Sequence, residues 1–172
     1  MILLFVYFKS WALTLYTLIC SSVPIIWLLG LMPFLGLSLD PMSILIPFLI
    51  FSIAVSHAVQ MVNAWKNEVF NGNSRLESSR LAFKSLFIPG TTALLANAIG
   101  FGVIAVVDIT IVKELVSTAT IGVLLMILSN KLLLPVLLSF YPKTLQLNKS
   151  LGNGEFADKF WLFLQKILNL KN

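Results

Sequence analysis

The single histidine of the chain, His57, lies in a hydrophobic stretch that is long enough to cross a lipid bilayer. This stretch runs from Pro41 to Trp65 and contains no aspartate, glutamate, lysine or arginine. At a rise of ~1.5 Å per residue it exceeds the ~30 Å hydrocarbon core, and His57 falls well inside that layer. A titratable group at this depth is costly unless it faces protein or water, and a hydrated imidazole exchanges protons near neutral pH. His57 is therefore the candidate proton-responsive residue.

A stripe of polar side chains accompanies His57 on the same predicted helix. An α-helix rotates by ~100° per residue, which places Ser52, Ser56, Gln60 and Asn63 on one side of the helix. His57 lies at the edge of that side. Lipid cannot hydrogen-bond to such a stripe, so the stripe is predicted to face the interior of a helix bundle. Hydrogen bonding between helices is the more common role for the four stripe residues. For His57, proton exchange is favoured over ordinary packing.

The next two hydrophobic stretches also carry polar or small residues on one face. In the third stretch, Asn97 supplies an amide on a face whose small residues allow a neighbouring helix to approach closely. Packing and a site function suit Asn97 equally well. In the fourth stretch Lys131 is expected to extend its long side chain towards the membrane surface rather than act in a proton relay. The residues that share these two faces are Gly90, Ala93 and Gly100 in the third stretch, and Thr118, Gly122 and Ser129 in the fourth.

Other kinds of chemistry find no support in the residues. The chain has no second histidine, no cluster of metal ligands, no G-x-S-x-G motif and no phosphate-binding glycine loop. The sequence therefore predicts neither an enzyme nor a protein with a cofactor or metal. Cys20 is the only cysteine, which excludes a disulfide within the chain. The basic residues are scattered between hydrophobic stretches, which argues against nucleic acid as a partner.

Composition identifies the protein class. Apolar residues make up 58% of the 172 residues and charged residues 11%, with a mean hydropathy of +0.95. A soluble domain carries about 25% charged residues, so the chain is predicted to be an integral membrane protein with an all-α, polytopic helix bundle. The predicted elements are a partial span 1–8, complete spans at about 11–35, 41–65, 89–107 and 115–141, a short amphipathic helix Ser74–Phe87 that begins with a capping box, and a linker with an amphipathic surface helix over 142–172.

The distribution of basic residues predicts the orientation. The segments predicted on one side of the membrane contain many basic residues. The segments on the other side contain one basic residue, Lys113, beside the acidic residues Asp40, Asp108 and Glu114. Because cytoplasmic loops carry the excess of lysine and arginine, the C-terminus and the Ser74–Phe87 helix are predicted to be cytoplasmic. The basic residues of that side are Lys9, Lys66, Arg75, Arg80, Lys84, Lys143, Lys149, Lys159, Lys166 and Lys171.

The order and spacing of several short motifs resemble one transporter superfamily. The motifs are Gly30-Leu-Met-Pro-Phe-Leu-Gly36, Leu39-Asp-Pro-Met-Ser-Ile-Leu-Ile-Pro47, Ile53-Ala-Val-Ser-His-Ala-Val-Gln60, Phe87-Ile-Pro-Gly-Thr-Thr-Ala-Leu-Leu-Ala-Asn-Ala-Ile-Gly-Phe101, and Lys113-Glu-Leu with Thr120-Ile-Gly122 and Leu134-Pro135. Nearly the whole chain is similar to spans two to six of one half of a resistance-nodulation-division (RND) exporter. The resemblance is strongest to the branch of mycobacterial large membrane proteins (MmpL) and predicted lipid exporters. The same unit is called the sterol-sensing domain in eukaryotic relatives.

The resemblance implies a partner and a mechanism. RND exporters have two similar halves, each with a periplasmic domain, so the chain looks like a fragment or a split gene product. Its partners would be the missing remainder of the transporter and membrane lipid, with a homo-oligomer as a further option. The expected location is the bacterial inner membrane.

The family couples export to proton entry through buried charged residues. Ser56-His57 occupies the position of an acidic pair, and Asn97 stands where relatives often have an acid.

Three functional hypotheses follow. The leading one is the membrane core of a proton-driven exporter of lipids or other hydrophobic compounds, in which His57 responds to protons with Ser56, Gln60 and Asn97 as hydrogen-bond partners. The second is a membrane module that binds lipid or a partner protein without transport, as sterol-sensing domains do. The third is an inactive truncated remnant.

Overall fold

Long apolar helices form most of the fold. The structure, a computed structural model, describes residues 2–37, 41 and 43–141. Four segments are long and apolar enough to cross a membrane: Trp11–Leu35, Leu45–Phe70, Arg75–Ile104 and Thr110–Ser139. The predicted all-α membrane bundle is thereby confirmed. The predicted linker and surface helix over 142–172 lie outside the described residues, as does Asp40. In chain order the elements are α1 (Ile2–Phe8), α2 (Trp11–Leu31), a 3-10 turn (Met32–Leu35), α3 (Leu45–Phe70), α4 (Arg75–Ile104), α5 (Thr110–Leu128), a π-helical turn (Ser129–Leu133) and α6 (Leu134–Ser139).

Local signals in the sequence determine several helix ends. Lys9 adopts a left-handed φ of 48°, which separates α1 from α2, and the Ser10 hydroxyl then caps α2 by accepting from the Leu13 N–H at 3.4 Å. The turn between α3 and α4 needs Gly72, whose φ is 92°. The Ser74 hydroxyl accepts from the Glu77 N–H at 3.3 Å, so the predicted cap at this serine is confirmed.

One predicted boundary is wrong. The sequence predicts a short helix Ser74–Phe87 and a separate span that opens at Pro89, but α4 runs through Pro89 without interruption. Proline removes one N–H from the helix, yet membrane-embedded helices tolerate this loss where other donors satisfy the freed carbonyl groups. The carbonyl that Pro89 frees is that of Ser85, and the Lys131 Nζ atom of the last span lies 2.8 Å from the carbonyl oxygen of the next residue, Leu86. The α4 helix therefore combines the predicted amphipathic helix and the predicted span.

The last span is the central helix of the bundle. Half of its most apolar segment is buried, compared with 17% for α4. The core between the helices consists of aliphatic and methionine side chains from α2, the turn after α2, α3, α4 and α5. Small residues let these helices approach closely. At Gly122, an added Cβ atom would lie 2.0 Å from the Ile50 Cδ1 atom and 3.2 Å from the Leu28 Cδ2 atom. The core residues are Leu28, Met32, Ile46, Ile50, Ala54, Leu94, Ala98, Ala119, Val123 and Met126.

A cluster around Tyr141 joins the helix ends on one side of the bundle. The Tyr141 hydroxyl lies 3.0 Å from the Ser10 hydroxyl, and the Arg75 guanidinium donates to the Tyr141 carbonyl oxygen. The Trp65 ring packs edge-on against Tyr141 with centroids 5.2 Å apart, and its Nε1–H donates to the Arg75 carbonyl oxygen at 3.3 Å. Residues from α2, α3, α4 and the end of the last span thus meet at one point.

The alkaline stability of the protein should depend on Tyr141. Burial raises the pKa of the Tyr141 phenol above its ordinary value of 10.0, the nearby Tyr16 adds to this, and the Ser10 hydrogen bond opposes it. A raised pKa in the folded state means that this stabilisation is complete below pH 10 and is lost as the pH rises through the folded pKa. Replacement of Tyr141 by Phe removes the Ser10 hydrogen bond, which costs about 1 kcal/mol near neutral pH.

The check is a comparison of thermal unfolding in detergent, followed by circular dichroism, across the alkaline range. The wild-type advantage over Tyr141→Phe should shrink as the pH rises above 10, because only the wild type loses stability through this phenol. A difference in melting temperature that stays constant across the range would contradict the assignment.

Candidate functional site

Three consecutive polar residues form the centre of the candidate site. Ser129, Asn130 and Lys131 lie in the π-helical turn of the last span, and their exposed fractions are 0%, 2% and 4%. Successive residues on a helix point in different directions, and here the surrounding helices cover every one of those directions. A π turn inside an α-helix is rare and is frequently found at functional sites. We name Ser129, Asn130, Lys131 and the nearby His57 the central polar cluster.

Each of the three residues bonds to a different neighbouring helix. The Ser129 hydroxyl donates to the Cys20 carbonyl oxygen of α2. The Asn130 Nδ2 atom donates to the Ala54 carbonyl oxygen of α3 at 3.0 Å. Lys131 completes the set through its bond to α4. The Ala54 and Leu86 carbonyls each have an N–H donor four residues further along their own helix, so there the side chain adds a second bond. The Cys20 carbonyl lies four residues before Pro24, which has no N–H, so Ser129 supplies the bond that Pro24 cannot make. The π turn therefore ties three membrane helices to the last span.

Lys131 is buried beside a glycine that leaves room for it. A methyl group at Gly90 would lie 2.0 Å from the Lys131 Nζ atom and 3.0 Å from its Cε atom, so a side chain at this position would force the amine to move. Among the described residues Lys131 makes no ion pair. The Oδ1 atom of Asn130 is also buried, without a hydrogen-bond partner in the described part of the chain. The cluster thus holds an amine without a counter-ion and an acceptor without a donor.

His57 lies at the edge of this cluster. It is partly buried on α3, about one helical turn after Ala54, whose carbonyl oxygen accepts from Asn130, and the charge of Lys131 acts on its imidazole. Its neighbours Ala54 and Ala58 are fully buried and occupy the inner face of α3. Two groups that exchange protons, an imidazole and an amine, therefore lie near each other inside the membrane segment. Such an arrangement can change its charge without a metal or a bound molecule.

The other predicted site residues lie elsewhere. Ser56, Gln60 and Asn97 are exposed on the outside of α3 and α4, as is Ser52 of the predicted stripe. Asn63 differs, since it is partly buried and its Nδ2 atom donates to the Tyr7 hydroxyl at 2.7 Å. The expectation that the whole stripe faces the bundle interior is wrong for this chain, because buried alanines occupy the inner face of α3 instead.

Two further expectations about helix faces have different outcomes. On α4 the packed face consists of Gly90, Leu94 and Ala98, whereas Ala93 and Gly100 are exposed beside Asn97. The predicted small-residue interface is therefore wrong except at Gly90. In the last span the predicted face is confirmed, because Thr118, Gly122 and Ser129 are all buried.

Comparison with known families identifies the bundle. A family model described as the sterol-sensing domain of SREBP cleavage-activation matches residues 8–152. The chain belongs to the sterol-sensing domain family. Comparisons with curated proteins and with solved structures gave no match. The match confirms the sterol-sensing-domain part of the predicted resemblance, while membership of the MmpL branch stays a prediction.

The sterol-sensing domain therefore carries three consecutive buried polar residues, Ser129, Asn130 and Lys131, on its last span. The sequence marked Lys131 as unusual but predicted that its side chain would extend to the membrane surface, and the structure shows that this is wrong. Asn130 was not singled out. A signal for both existed, since Ser129-Asn130-Lys131 is an uninterrupted polar run inside an otherwise apolar span. In a membrane helix such a run must be buried against protein or water.

Proposed function

We propose that this sterol-sensing domain is the membrane core of an RND-type transporter for lipids or other hydrophobic compounds. In this proposal, protonation of the central polar cluster drives a movement of the helices. The observation that carries the proposal is the π turn, in which three consecutive side chains bond to three different helices beside His57. A group that holds several helices at one point is well placed to move them together.

Charge repulsion supplies the coupling. Protonation of His57 places a second positive charge near the Lys131 amine, in a region where water screens charges poorly. The repulsion, together with the cost of burying charge, favours separation or hydration of the two groups. Separation would break the bond from Lys131 to the Leu86 carbonyl oxygen and release α4 from the last span. A π turn that relaxes to an α-helix would shift the adjoining segment by about one residue, ~1.5 Å along the axis.

The exposed polar residues suggest where the rest of the assembly binds. Ser56, Gln60 and Asn97 face outward from the described helices at positions where lipid offers no hydrogen bonds. We propose that further membrane helices cover them, and that these helices belong to the remainder of the transporter. The proposed location is the bacterial inner membrane, with the Arg75 end of α4 towards the cytoplasm because basic residues concentrate there.

The test is proton-driven efflux of a fluorescent lipid analogue in inverted membrane vesicles that contain the native assembly. His57→Ala should lower the pH-gradient-driven rate by a factor of about ten or more, because the titrating group contributes ~10²–10⁴-fold in typical proton-transfer steps. His57→Asp should retain much of the rate, since a carboxylate near Lys131 also takes up and releases a proton. Ser117→Ala, at an exposed position of α5, is the control. Normal efflux in His57→Ala would refute the coupling.

A second function is a lipid- or partner-binding module without transport, and one observation favours it. The acidic residues in the described part of the chain, Glu68, Glu77, Asp108 and Glu114, all lie in or near the end turns of the helices, so no carboxylate accompanies His57 at the centre. If the wild-type assembly binds the lipid analogue but shows no efflux under a pH gradient, this second function is the correct one.

A further inference from the structure

A groove on the outside of the bundle has features of a lipid-binding site that are unrelated to the central polar cluster. It lies between the first turns of α4 and the short helix α6, and its volume is about 190 Å³. Leu76 and Phe83 form the α4 wall, while Pro135 and Val136 form the α6 wall. The polar lining residues are Ser79, Arg80 and Ser139. The groove thus combines an apolar floor with a small polar group of residues.

Its position along the helices places the groove at a membrane surface. The α4 helix has 30 residues, and at ~1.5 Å per residue it exceeds the ~30 Å hydrocarbon core. The lining residues of α4 belong to its first turns, and those of α6 to the last turns before Tyr141. One end of the groove therefore lies at the level of lipid headgroups. The apolar wall continues into the bilayer, since Phe83 and Phe87 pack with ring centroids 5.0 Å apart.

Ser79 indicates that the groove receives a polar ligand atom. This serine is 4% exposed, and its hydroxyl has no hydrogen-bond partner among the described residues. Most buried hydroxyl groups in proteins are hydrogen-bonded, because an unpaired one costs free energy. The Ser139 hydroxyl is already satisfied, as it donates to the Val136 carbonyl oxygen at 2.6 Å. The unpaired Ser79 hydroxyl lies beneath the lining of the groove, so a rotation of this side chain would bring it to a ligand there.

Arg80 supplies the charge that selects the ligand. Its side chain is 75% exposed, and its contact with Glu77 is long, at 3.8 Å between Nη1 and Oε2. Exposed pairs of this kind contribute little, so the guanidinium is free to bind another anion. Arginine binds phosphate with two parallel hydrogen bonds, which lysine cannot do. Lys84 lies one turn further along α4 and is exposed but outside the lining.

We propose that this groove binds one anionic glycerophospholipid. The phosphate lies on Arg80, an oxygen of the glycerol ester region bonds to the Ser79 hydroxyl, and one acyl chain follows Leu76, Phe83 and Val136 into the bilayer. The volume supports this ligand, because it is below the ~300 Å³ of a typical pocket that encloses a whole small molecule. A single acyl chain with its headgroup outside fits such a narrow, open groove.

The experiment measures lipid retained by the full chain, by native mass spectrometry after transfer from nanodiscs with equal amounts of phosphatidylglycerol and phosphatidylcholine. The wild type should retain phosphatidylglycerol selectively. Arg80→Gln should lower that retention about 5-fold or more, as expected for loss of a charge-assisted hydrogen bond. Val136→Trp, which fills the groove, should lower it similarly. Lys84→Gln removes the same charge one turn away and should leave retention unchanged.

Three results would overturn the proposal. Equal retention of the two lipids would show that the phosphate charge is not recognised. An equal loss in Lys84→Gln and Arg80→Gln would indicate general surface charge rather than a groove. Unchanged retention in Val136→Trp would show that the lipid lies elsewhere. Circular dichroism of each variant confirms that the helices are intact, so a loss of lipid is not a loss of fold.

Discussion

Replacement of Trp65 by alanine is expected to destabilise the protein by about 3–5 kcal/mol, the usual cost of removing a large buried aromatic side chain. Trp65 is 0% exposed and is among the largest fully buried side chains. It packs on Tyr141 and donates to the Arg75 carbonyl oxygen, so its loss leaves a cavity and removes a partly buried hydrogen bond at once. Both consequences fall where α2, α3, α4 and the last span meet. Thermal unfolding in detergent, followed by circular dichroism, measures the effect.

Two variants separate the contributions to this effect. Trp65→Phe keeps an aromatic ring beside Tyr141 but removes the Nε1–H donor, so its cost should be about 1–2 kcal/mol. Trp11→Ala removes the same side chain from a position that is 63% exposed and should change stability little. If Trp65→Ala and Trp11→Ala prove equally mild, the Tyr141 cluster does not hold the helix ends together.

The sequence predicted four apolar spans because a bilayer imposes length and apolarity on each span. It predicted the Ser74 cap from the spacing of Ser74 and Glu77, which depends only on neighbouring residues. Pro89-Gly90 predicts the start of a span, because in a soluble helix proline ends or kinks the element, but α4 continues through this pair. Inside the membrane, Lys131 bonds to the α4 turn that precedes Pro89, a contact between residues far apart in the chain. Local sequence carries no trace of that contact.

The candidate site was predictable only in part, and the reason is geometric. Helical spacing identifies which residues share a face, but not which of two faces points inward. On α3 the small buried residues Ala54 and Ala58 form the inner face, and the polar residues Ser56 and Gln60 point outward. The rule that polar residues face protein assumes that all neighbouring helices belong to the same chain. Where a further membrane partner covers the outer face, as proposed above, that assumption fails.

Lys131 illustrates a second limit. A lysine this far into a span usually extends its side chain towards the membrane surface, as the sequence predicted. Here the π turn and the missing side chain of Gly90 together create space for its amine inside the bundle. Each of these features is ordinary in isolation. Only their juxtaposition across two helices makes Lys131 a buried group.

Replacement of Gly90 by alanine is therefore expected to leave the protein about 1–3 kcal/mol less stable than the same replacement at Gly100, the range for overpacking a well-filled interior. The added methyl group would lie 2.0 Å from the Lys131 Nζ atom and would displace the amine from the Leu86 carbonyl oxygen. The matched control is Gly100→Ala in the same helix, where an added Cβ atom meets nothing within 4 Å. Alanine favours a helix over glycine by about 1 kcal/mol, so the control should be neutral or stabilising. The same helix preference applies at Gly90, so the difference in stability between the two variants measures the contact with Lys131.

A double-mutant cycle decides whether the effect of Gly90→Ala acts through Lys131. Lys131→Ala removes the amine that the new methyl group would contact, so Gly90→Ala should cost little in that background. Contacting residues show coupling energies of about 0.5–3 kcal/mol, well above the ~0.3–0.5 kcal/mol error of additivity for distant sites. The measurement is the unfolding free energy of the four proteins in bicelles. Additive effects would place the Lys131 amine away from Gly90 and remove the contact on which the central polar cluster depends, whereas strong coupling would support a buried amine that bonds to α4 and is positioned to release it.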